Sequence, residues 1–259
     1  MMVPRMRILM TVTLVLAWAG WAAAEAQTEA KPGIEPRADK ILRQMSDYLA
    51  QAREFGFAFE ESIDEVSGSG FKIRYSNQRK VVLRRPARLV AEGRGDLVNR
   101  SAWYDGKKMT LLDRRHNVYA QIDAPPSIDA TIEHLVSRFD VVLPLADLIY
   151  SNPYQEVIGQ VVSGFYAGMH QAGSFKCHHL AFRQEFVDWQ IWIDAGPKPI
   201  PRKLLITYKL EEGQPQYQAL ITDWKEPLQM PDEAFLFKPP SGAQRVEMTE
   251  MLPETVPDK

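Results

Sequence analysis

The chain has 259 residues, of which 45% are hydrophobic and 25% are charged, and these proportions are ordinary for a folded globular protein. Its formal net charge of −2 excludes a protein that captures nucleic acid through bulk positive charge. Its single cysteine, Cys177, excludes an intramolecular disulfide and a zinc site built from clustered cysteines.

The N-terminus has the layout of a secretory signal peptide. Two arginines precede an almost unbroken apolar run over 8–21, and an alanine triplet at 22–24 fits a small-residue cleavage signal. The run is shorter than the roughly 20 apolar residues that span a bilayer, which favours a cleaved signal over a membrane anchor. We therefore expect residues 1–24 to be removed and the mature protein to be periplasmic.

A helix is predicted at the start of a single folded domain over 37–246. A polar, proline-containing stretch over 25–36 precedes it and is expected to be a flexible linker. Apolar residues then recur at three- and four-residue steps from Ala38 to Ala52, the spacing that places them on one helix face. This apolar stripe has to be covered by another element.

From Phe55 to Asp123 the hydrophobic pattern changes to alternation, which is typical of half-buried strands. Nothing in this region resembles a strand–helix–strand unit, so we expect the strands to pair antiparallel. The predicted strands cover 55–63, 71–76, 80–84, 88–93, 97–104, 108–112 and 118–122.

Residues 127–162 are predicted to be a helical insert between two blocks of strands. Ser127 is a suitable N-cap for a first helix, and two shorter helices are predicted at 145–150 and 154–162. Two interpretations of this insert remain open. It is either a helical layer that covers the sheet as ordinary core, or a movable lid over an apolar cavity.

Strands resume after the insert, and several of them carry apolar residues on both faces. A sheet with one solvated face would not do this, so we expect one face to be covered by helices while the other encloses something apolar. The predicted strands are 165–170, 175–184, 187–194, 202–211 and 216–225. The fold class is therefore α+β, a strongly curved antiparallel sheet of about ten strands (an incomplete β-barrel) with an N-terminal helix and a helical insert acting as a lid. Residues 247–259 are expected to form a disordered tail.

The sequence contains no recognisable catalytic motif, phosphate-binding loop or dinucleotide fingerprint, and no cofactor is predicted. Cys177 and His179 are the one pair that suggests chemistry, because residues two apart in a strand share a face. A thiol beside an imidazole could serve a hydrolase or bind a metal. The alternative is that both side chains are packed and structural.

Several short motifs resemble those of a bacterial family of predicted periplasmic proteins of unknown function, over roughly 37–246. They are Y-D-G-K at 104–107, Y-A at 119–120, A-P at 124–125, L-P-L-A-D-L at 143–148, H-L-A-F-R at 179–183, D-W-Q-I-W-I at 188–193, P-R-K-L at 201–204 and P-Q-Y at 215–217. This family is similar to the outer-membrane lipoprotein-sorting and carrier (LolA/LolB-like) superfamily.

The resemblance implies an incomplete antiparallel barrel that is closed by helices and holds acyl chains. We therefore expect a protein that is not an enzyme and that binds or shuttles a lipid, or a lipid-modified protein, in the periplasm. The expected partners are acyl chains, with transient contacts to the membrane or to envelope proteins and none to nucleic acid. Alternatives from other classes are a hydrolase or metal enzyme using Cys177 and His179, and a structural envelope protein that binds a partner by its sheet edge.

If the carrier interpretation is right, apolar residues of the first insert helix and of the strands should line the cavity. The candidate lid residues are Ile132, Leu135, Val136 and Phe139, and the candidate wall residues are Trp103, Trp189, Ile191, Ile206 and Tyr208. The wall set depends on which strand face turns inward, because a register error of one residue exchanges the two faces.

Overall fold

The computed structural model describes residues 31–139, 141, 143 and 145–251, so the predicted signal peptide over 1–24 lies outside the described residues. The helices in this part are α1 (Pro36–Gln51), α2 (Ile128–Phe139), α3 (Pro153–Ile158) and α4 (Met248–Met251), with 3-10 turns at Ala146–Leu148 and Asp232–Phe235. The first block of strands is β1 (Glu54–Val66), β2 (Lys72–Arg84), β3 (Arg88–Gly95), β4 (Asn99–Tyr104), β5 (Lys108–Asp113) and β6 (Val118–Asp123). The second block is β7 (Ser163–Ala172), β8 (Phe175–Arg183), β9 (Val187–Asp194), β10 (Pro201–Tyr208), β11 (Gln216–Lys225) and β12 (Gln244–Arg245).

All the strands of the described residues belong to one sheet, in the order β12-β6-β5-β4-β3-β2-β1-β11-β10-β9-β8-β7. Strands β1 to β6 form one antiparallel meander and β7 to β11 a second, and the pairing of β1 with β11 joins them. Within the described residues β7 does not pair with β6 or β12, so the sheet is strongly curved but not closed. The predicted fold class, α+β with a curved antiparallel half-barrel, is confirmed.

The strand boundaries differ from the prediction at β2. This strand is continuous from Lys72 to Arg84, where the sequence pattern suggested two separate strands with a gap at 77–79. The gap residues are polar, yet they remain in register with both β1 and β3. Backbone pairing on both sides therefore maintains the strand where the side-chain alternation is interrupted.

Helix α1 packs on the concave face of the sheet. Its stripe of Ala38, Leu42, Met45 and Leu49 is fully buried, as expected from the three- and four-residue spacing. Asp39, in the first turn, is also buried and accepts hydrogen bonds from Arg43 Nε at 2.7 Å and from the Tyr154 hydroxyl. This carboxylate therefore connects α1 to α3 of the insert.

Short segments at both ends of the domain are more ordered than their composition suggests. Residues 31–36 of the predicted linker include Ile34, which is buried and forms a β-bridge with Gly164. Residues 247–251 of the predicted tail include α4, whose Met248 and Met251 are buried beside Ala120. In both segments a few apolar side chains are buried against the sheet, and this packing orders the segment although the neighbouring residues are polar. The rest of the tail, 252–259, lies outside the described residues.

None of the helices among the described residues has both the length and the apolar character required to cross a membrane.

Candidate functional site

A cavity of about 200 Å³ lies between the concave face of β1 to β5 and the helical insert. Its strand wall is mostly apolar and is formed by Phe57, Phe59, Val81, Leu89, Ala102 and Tyr104. Its helical side is formed by Ile128, Ile132 and Leu135 of α2 and by Leu145, Ala146 and Ile149 of the following segment. Alternation along each strand turns these wall residues to one side, and the curvature of the sheet leaves room between them.

A second cavity, of about 230 Å³, adjoins the first on the β9–β10 side of the sheet. Its wall includes Trp189, Ile191, Ile206 and Tyr208, and the insert contributes Leu148 and Val157. Leu143 and Leu145 line both cavities. The two spaces are therefore separated by one short segment of the insert.

Leu145 occupies this dividing position with a backbone that leucine rarely adopts. Its φ is +67°, in the left-handed region, and its side chain is buried. The residue opens the 3-10 turn Ala146–Leu148, in which the amide of Leu148 donates to the Leu145 carbonyl at 3.1 Å. Burial of the leucine side chain thus holds the segment between the two cavities.

The insert is fastened to the ends of two strands. Arg85, directly after β2, donates from Nη1 to the Ile149 carbonyl at 2.7 Å and from Nη2 to the Tyr150 carbonyl at 2.9 Å. At the start of the insert, the amide of Ile128 donates to the Pro86 carbonyl at 2.8 Å. The Tyr104 hydroxyl of β4 donates to the Pro125 carbonyl at 2.6 Å. These contacts fix both sides of the helical cover.

Two charged residues interrupt the apolar wall of the first cavity. The buried carboxylate of Glu61 accepts from Arg79 Nε at 2.7 Å, from Asn77 Nδ2 at 3.1 Å and from the Tyr217 hydroxyl at 3.1 Å. Burial is the main cause that raises the pKa of Tyr217, and the Glu61 carboxylate raises it further. The network keeps a charged pair in place at the edge of an otherwise apolar space.

Six of the nine predicted site residues line these two cavities. Ile132 and Leu135 lie in the first, whereas Trp189, Ile191, Ile206 and Tyr208 lie in the second. Periodicity located them because the apolar stripe of α2 and the alternation of β9 and β10 are regular.

The structure places the other three residues elsewhere. Trp103 lies on the opposite face of β4, where its ring packs against Phe237 at a centroid distance of 5.2 Å, and its neighbours Ala102 and Tyr104 face the cavity instead. Val136 is 46% exposed. Phe139, at the end of α2, packs on the cluster that contains Ala120, Met248 and Met251. The prediction for Trp103 is wrong because it assumed the opposite face of β4. The prediction for Phe139 is wrong because the sequence pattern did not predict that α4 packs against it.

Sequence reasoning did not identify Glu61 and Arg79 as site residues. A signal was present in the sequence, because Glu61 continues the inward alternation of Phe57 and Phe59 on β1. A carboxylate at a core position needs a charged or hydrogen-bonding partner, because an unpaired buried charge is costly. Such a pair beside an apolar wall indicates a candidate site.

Cys177 and His179 lie on the convex face, away from both cavities. Cys177 is fully buried beside Trp192, its thiol donates to the Phe175 carbonyl at 3.6 Å, and burial raises its pKa to about 11. His179 stacks on Trp192 at 3.9 Å and hydrogen-bonds His170 and Gln190. The thiol is not hydrogen-bonded to the imidazole, and a raised pKa opposes a reactive thiolate. In the described ranges, no three His, Cys, Asp or Glu side chains come close enough to hold a metal ion.

Solved structures with a similar chain trace come from several bacteria. A conserved protein of Thermus thermophilus is 13% identical with a TM-score of 0.48, covering 82% of this chain and 99% of its own. The lipoprotein LppX of Mycobacterium tuberculosis is 14% identical with a TM-score of 0.46, covering 75% and 98%. A LolA superfamily protein of Nitrosomonas europaea is 10% identical with a TM-score of 0.37, covering 77% and 97%.

Among curated proteins, no sequence matches this chain. A family model matches residues 38–249, which contain the whole sheet, α2, α3, all but the first two residues of α1 and the first two residues of α4. The matched region contains every residue that lines the two cavities. The chain therefore belongs to the family described as predicted periplasmic protein (DUF2092).

Proposed function

We propose that this protein binds an acyl chain, of a lipid or of a lipid-modified protein, in the two adjoining cavities and carries it through the periplasm without catalysing a reaction. The observation that supports this most directly is the pair of mostly apolar spaces of about 200 and 230 Å³ beneath the insert. Each exceeds the roughly 150 Å³ of an apolar cavity that accepts a benzene molecule. Each methylene buried there contributes roughly 0.8 kcal/mol.

The helical insert would act as the lid of this site. It is attached to the sheet by side-chain packing and by a few hydrogen bonds, such as those from Arg85 and Tyr104, rather than by continuous strand pairing. Leu143 and Leu145 separate the two cavities, so a displacement of this segment would join them into one longer space. A space of that length suits an extended chain better than a compact molecule.

Export is part of the proposal. The family is described as predicted periplasmic, and the N-terminus has a charged region, an apolar run and small residues before Glu25 and Gln27. We infer that the mature chain begins at one of these two residues. N-terminal sequencing of the protein from the cell envelope tests this, and a mature chain that still begins at Met1 or Met2 would contradict it.

The binding proposal is tested by filling the first cavity. Ala102→Phe places a ring in the space, whereas Ala181→Phe places the same ring on the convex face of β8. Native mass spectrometry of protein purified from the periplasm should show bound lipid in the wild type and in Ala181→Phe. Binding of the neutral apolar dye N-phenyl-1-naphthylamine should be about tenfold weaker in Ala102→Phe. The new ring takes the place of about one ring of the dye, and the buried dye surface that is lost corresponds to about 1.4 kcal/mol.

Equal dye affinity in both variants would contradict the cavity as the binding site. A bound metal ion in the mass spectrum, without lipid, would instead favour the alternative that uses Cys177 and His179. Thermal unfolding of both variants accompanies these measurements, so that loss of the fold is not mistaken for loss of binding.

A further inference from the structure

The polar end of the first cavity presents unused hydrogen-bond donors. Arg79 lines the cavity, and its side chain is 35% exposed. Its Nε donates to Glu61 at 2.7 Å, but no hydrogen bond within the described residues uses its Nη1 or Nη2. The guanidinium fork therefore has two donors available beside an apolar space.

The position of this guanidinium is fixed by its surroundings. Glu61 is 3% exposed and accepts hydrogen bonds from three donors, on Arg79, Asn77 and Tyr217. On the other side, Gly93 leaves room for the arginine, since a Cβ at that position would lie 3.2 Å from Nη1. The Nε hydrogen bond to Glu61 and the close approach to Gly93 thus fix the Arg79 side chain. Its Nη1 and Nη2 have no hydrogen-bond partner among the described residues.

Resting on the proposed binding of an acyl chain, we infer that the site selects amphiphiles with an anionic oxygen head group, a carboxylate or a phosphate, and that Arg79 receives it. Two parallel N–H groups of arginine match two oxygens of either anion. Among the described residues that line the cavity, Arg79 is the cationic one, and the others are apolar apart from Glu61, Thr131 and the Tyr104 hydroxyl, which already donates to Pro125.

The position of Arg79 also sets the direction in which the bound acyl chain lies. Arg79 is six positions from Arg85, which corresponds to about 20 Å along β2, and Arg85 is where the strand end contacts the insert. The head group therefore lies far from the contact at Arg85, and the acyl tail runs past Val81 and Phe57 toward that end of the cavity. The second cavity is unsuited to an anionic head, because Asp147 and Glu156 line it.

The test compares three amphiphiles with the same chain: dodecanoate, dodecyl phosphate and 1-dodecanol. Each competes with N-phenyl-1-naphthylamine at pH 7.5, where the carboxyl group is ionised. The wild type should bind both anions about tenfold or more tightly than the alcohol. Arg79→Gln should reduce this preference to about twofold or less, with little change in the affinity for 1-dodecanol.

Two further variants distinguish recognition from structural support. Lys80→Gln removes the same charge from the adjacent position of β2, whose side chain points to the other face, and should keep the preference. Tyr217→Phe removes one donor from the same hydrogen-bond network but leaves the Glu61–Arg79 pair in place, and should also keep the preference for the anions. A preference that is lost equally in Tyr217→Phe and Arg79→Gln would overturn the inference, because it would reflect damage to the network.

The outcomes also separate this inference from the proposed function. If 1-dodecanol binds the wild type as tightly as dodecanoate, chain binding is retained and head-group selection by Arg79 is wrong. If none of the three amphiphiles displaces the dye, the proposed function fails and this inference fails with it. An unchanged preference in Arg79→Gln would place the head group elsewhere and likewise overturn the inference.

Discussion

Arg85 donates a hydrogen bond to the backbone carbonyl of Ile149, a residue 64 positions further along the chain. The same guanidinium also contacts the carbonyls of Tyr150 and Ala52, so one side chain links the end of β2, the end of α1 and the insert. Since Ile149 and Tyr150 follow the segment that divides the two cavities, the stability of the helical cover depends on this arginine.

Arg85→Met should loosen the insert without unfolding the sheet. The substitution keeps most of the side-chain volume but leaves the Ile149 and Tyr150 carbonyls without their donors, at a cost of about 2 kcal/mol. We expect faster hydrogen exchange at 145–151 and faster release of bound N-phenyl-1-naphthylamine. Arg183→Met, which removes an exposed ion pair with Asp188, serves as the control and should alter neither. Unchanged exchange in Arg85→Met would show that other contacts hold the insert.

Tyr154→Phe should weaken the attachment of α3 to α1. The hydroxyl of Tyr154 donates to the buried carboxylate of Asp39, which would retain Arg43 as its side-chain donor. Loss of a donor to a buried charge costs about 1–3 kcal/mol. The free energy of unfolding, measured in urea, should fall by this amount. Tyr75→Phe is the matched control, because the described residues offer its hydroxyl no partner, and its stability should equal that of the wild type.

Cys177 should behave as a structural residue. Its pKa is raised to about 11 by burial, so roughly one thiol in a thousand is ionised at pH 8, and iodoacetamide should modify the unfolded chain but not the native one. Cys177→Ser should lose about 1–3 kcal/mol of stability through burial of a hydroxyl, yet keep its affinity for the apolar dye. Loss of function at unchanged melting temperature would instead restore the catalytic interpretation of this residue.

Asp64 should make the fold sensitive to acid. Hydrogen bonds from Arg74, at 2.7 and 3.1 Å, are the main cause that holds the pKa of this buried carboxyl below its usual value. Because the folded-state pKa lies below the unfolded one, the stabilisation is complete above the unfolded value of about 3.9 and is lost as the pH falls through the folded value.

Asp64→Asn should therefore lower the free energy of unfolding at pH 7 by about 1–3 kcal/mol and reduce the difference between pH 7 and pH 3. Urea denaturation at both pH values measures this difference. Asp123→Asn alters a carboxylate that is 90% exposed, and its pH dependence should match the wild type. If Asp64→Asn shows the wild-type difference as well, the acid sensitivity arises elsewhere.

The fold was predictable because local patterns specify it. The stripe from Ala38 to Ala52 predicted α1, and alternation predicted most strands of both meanders. The continuity of β2 was not predictable, because its polar residues 77–79 are kept in the strand by pairing with β1 and β3. The helix α4 was not predicted for a similar reason, since its two buried methionines depend on a surface formed by distant β6.

The site was only partly predictable because its residues depend on which face of each strand turns inward. Trp189 and Ile191 lie in the wall of the second cavity, whereas on β4 the prediction named Trp103 and it is Ala102 that lies in the wall of the first. Size and hydrophobicity favour a tryptophan as a wall residue, but a cavity exists where side chains are small. The role of Arg85 depends on backbone carbonyls of the insert, which no pattern of side chains reveals.

The pairing of β1 with β11 has a consequence for how the chain folds. Every other antiparallel pair in the sheet joins strands that are consecutive along the chain, whereas Thr222 of β11 donates to Ala58 of β1 across 164 positions. Each meander can thus form early from local contacts, but the junction has to wait for the closure of a very long loop. Because β11 ends at Lys225, the row of Phe55, Phe57 and Phe59 on β1 gains its second neighbouring strand only after the chain has been synthesised as far as β11. Until then this row lacks one of its two neighbouring strands, and unpaired apolar strands favour aggregation.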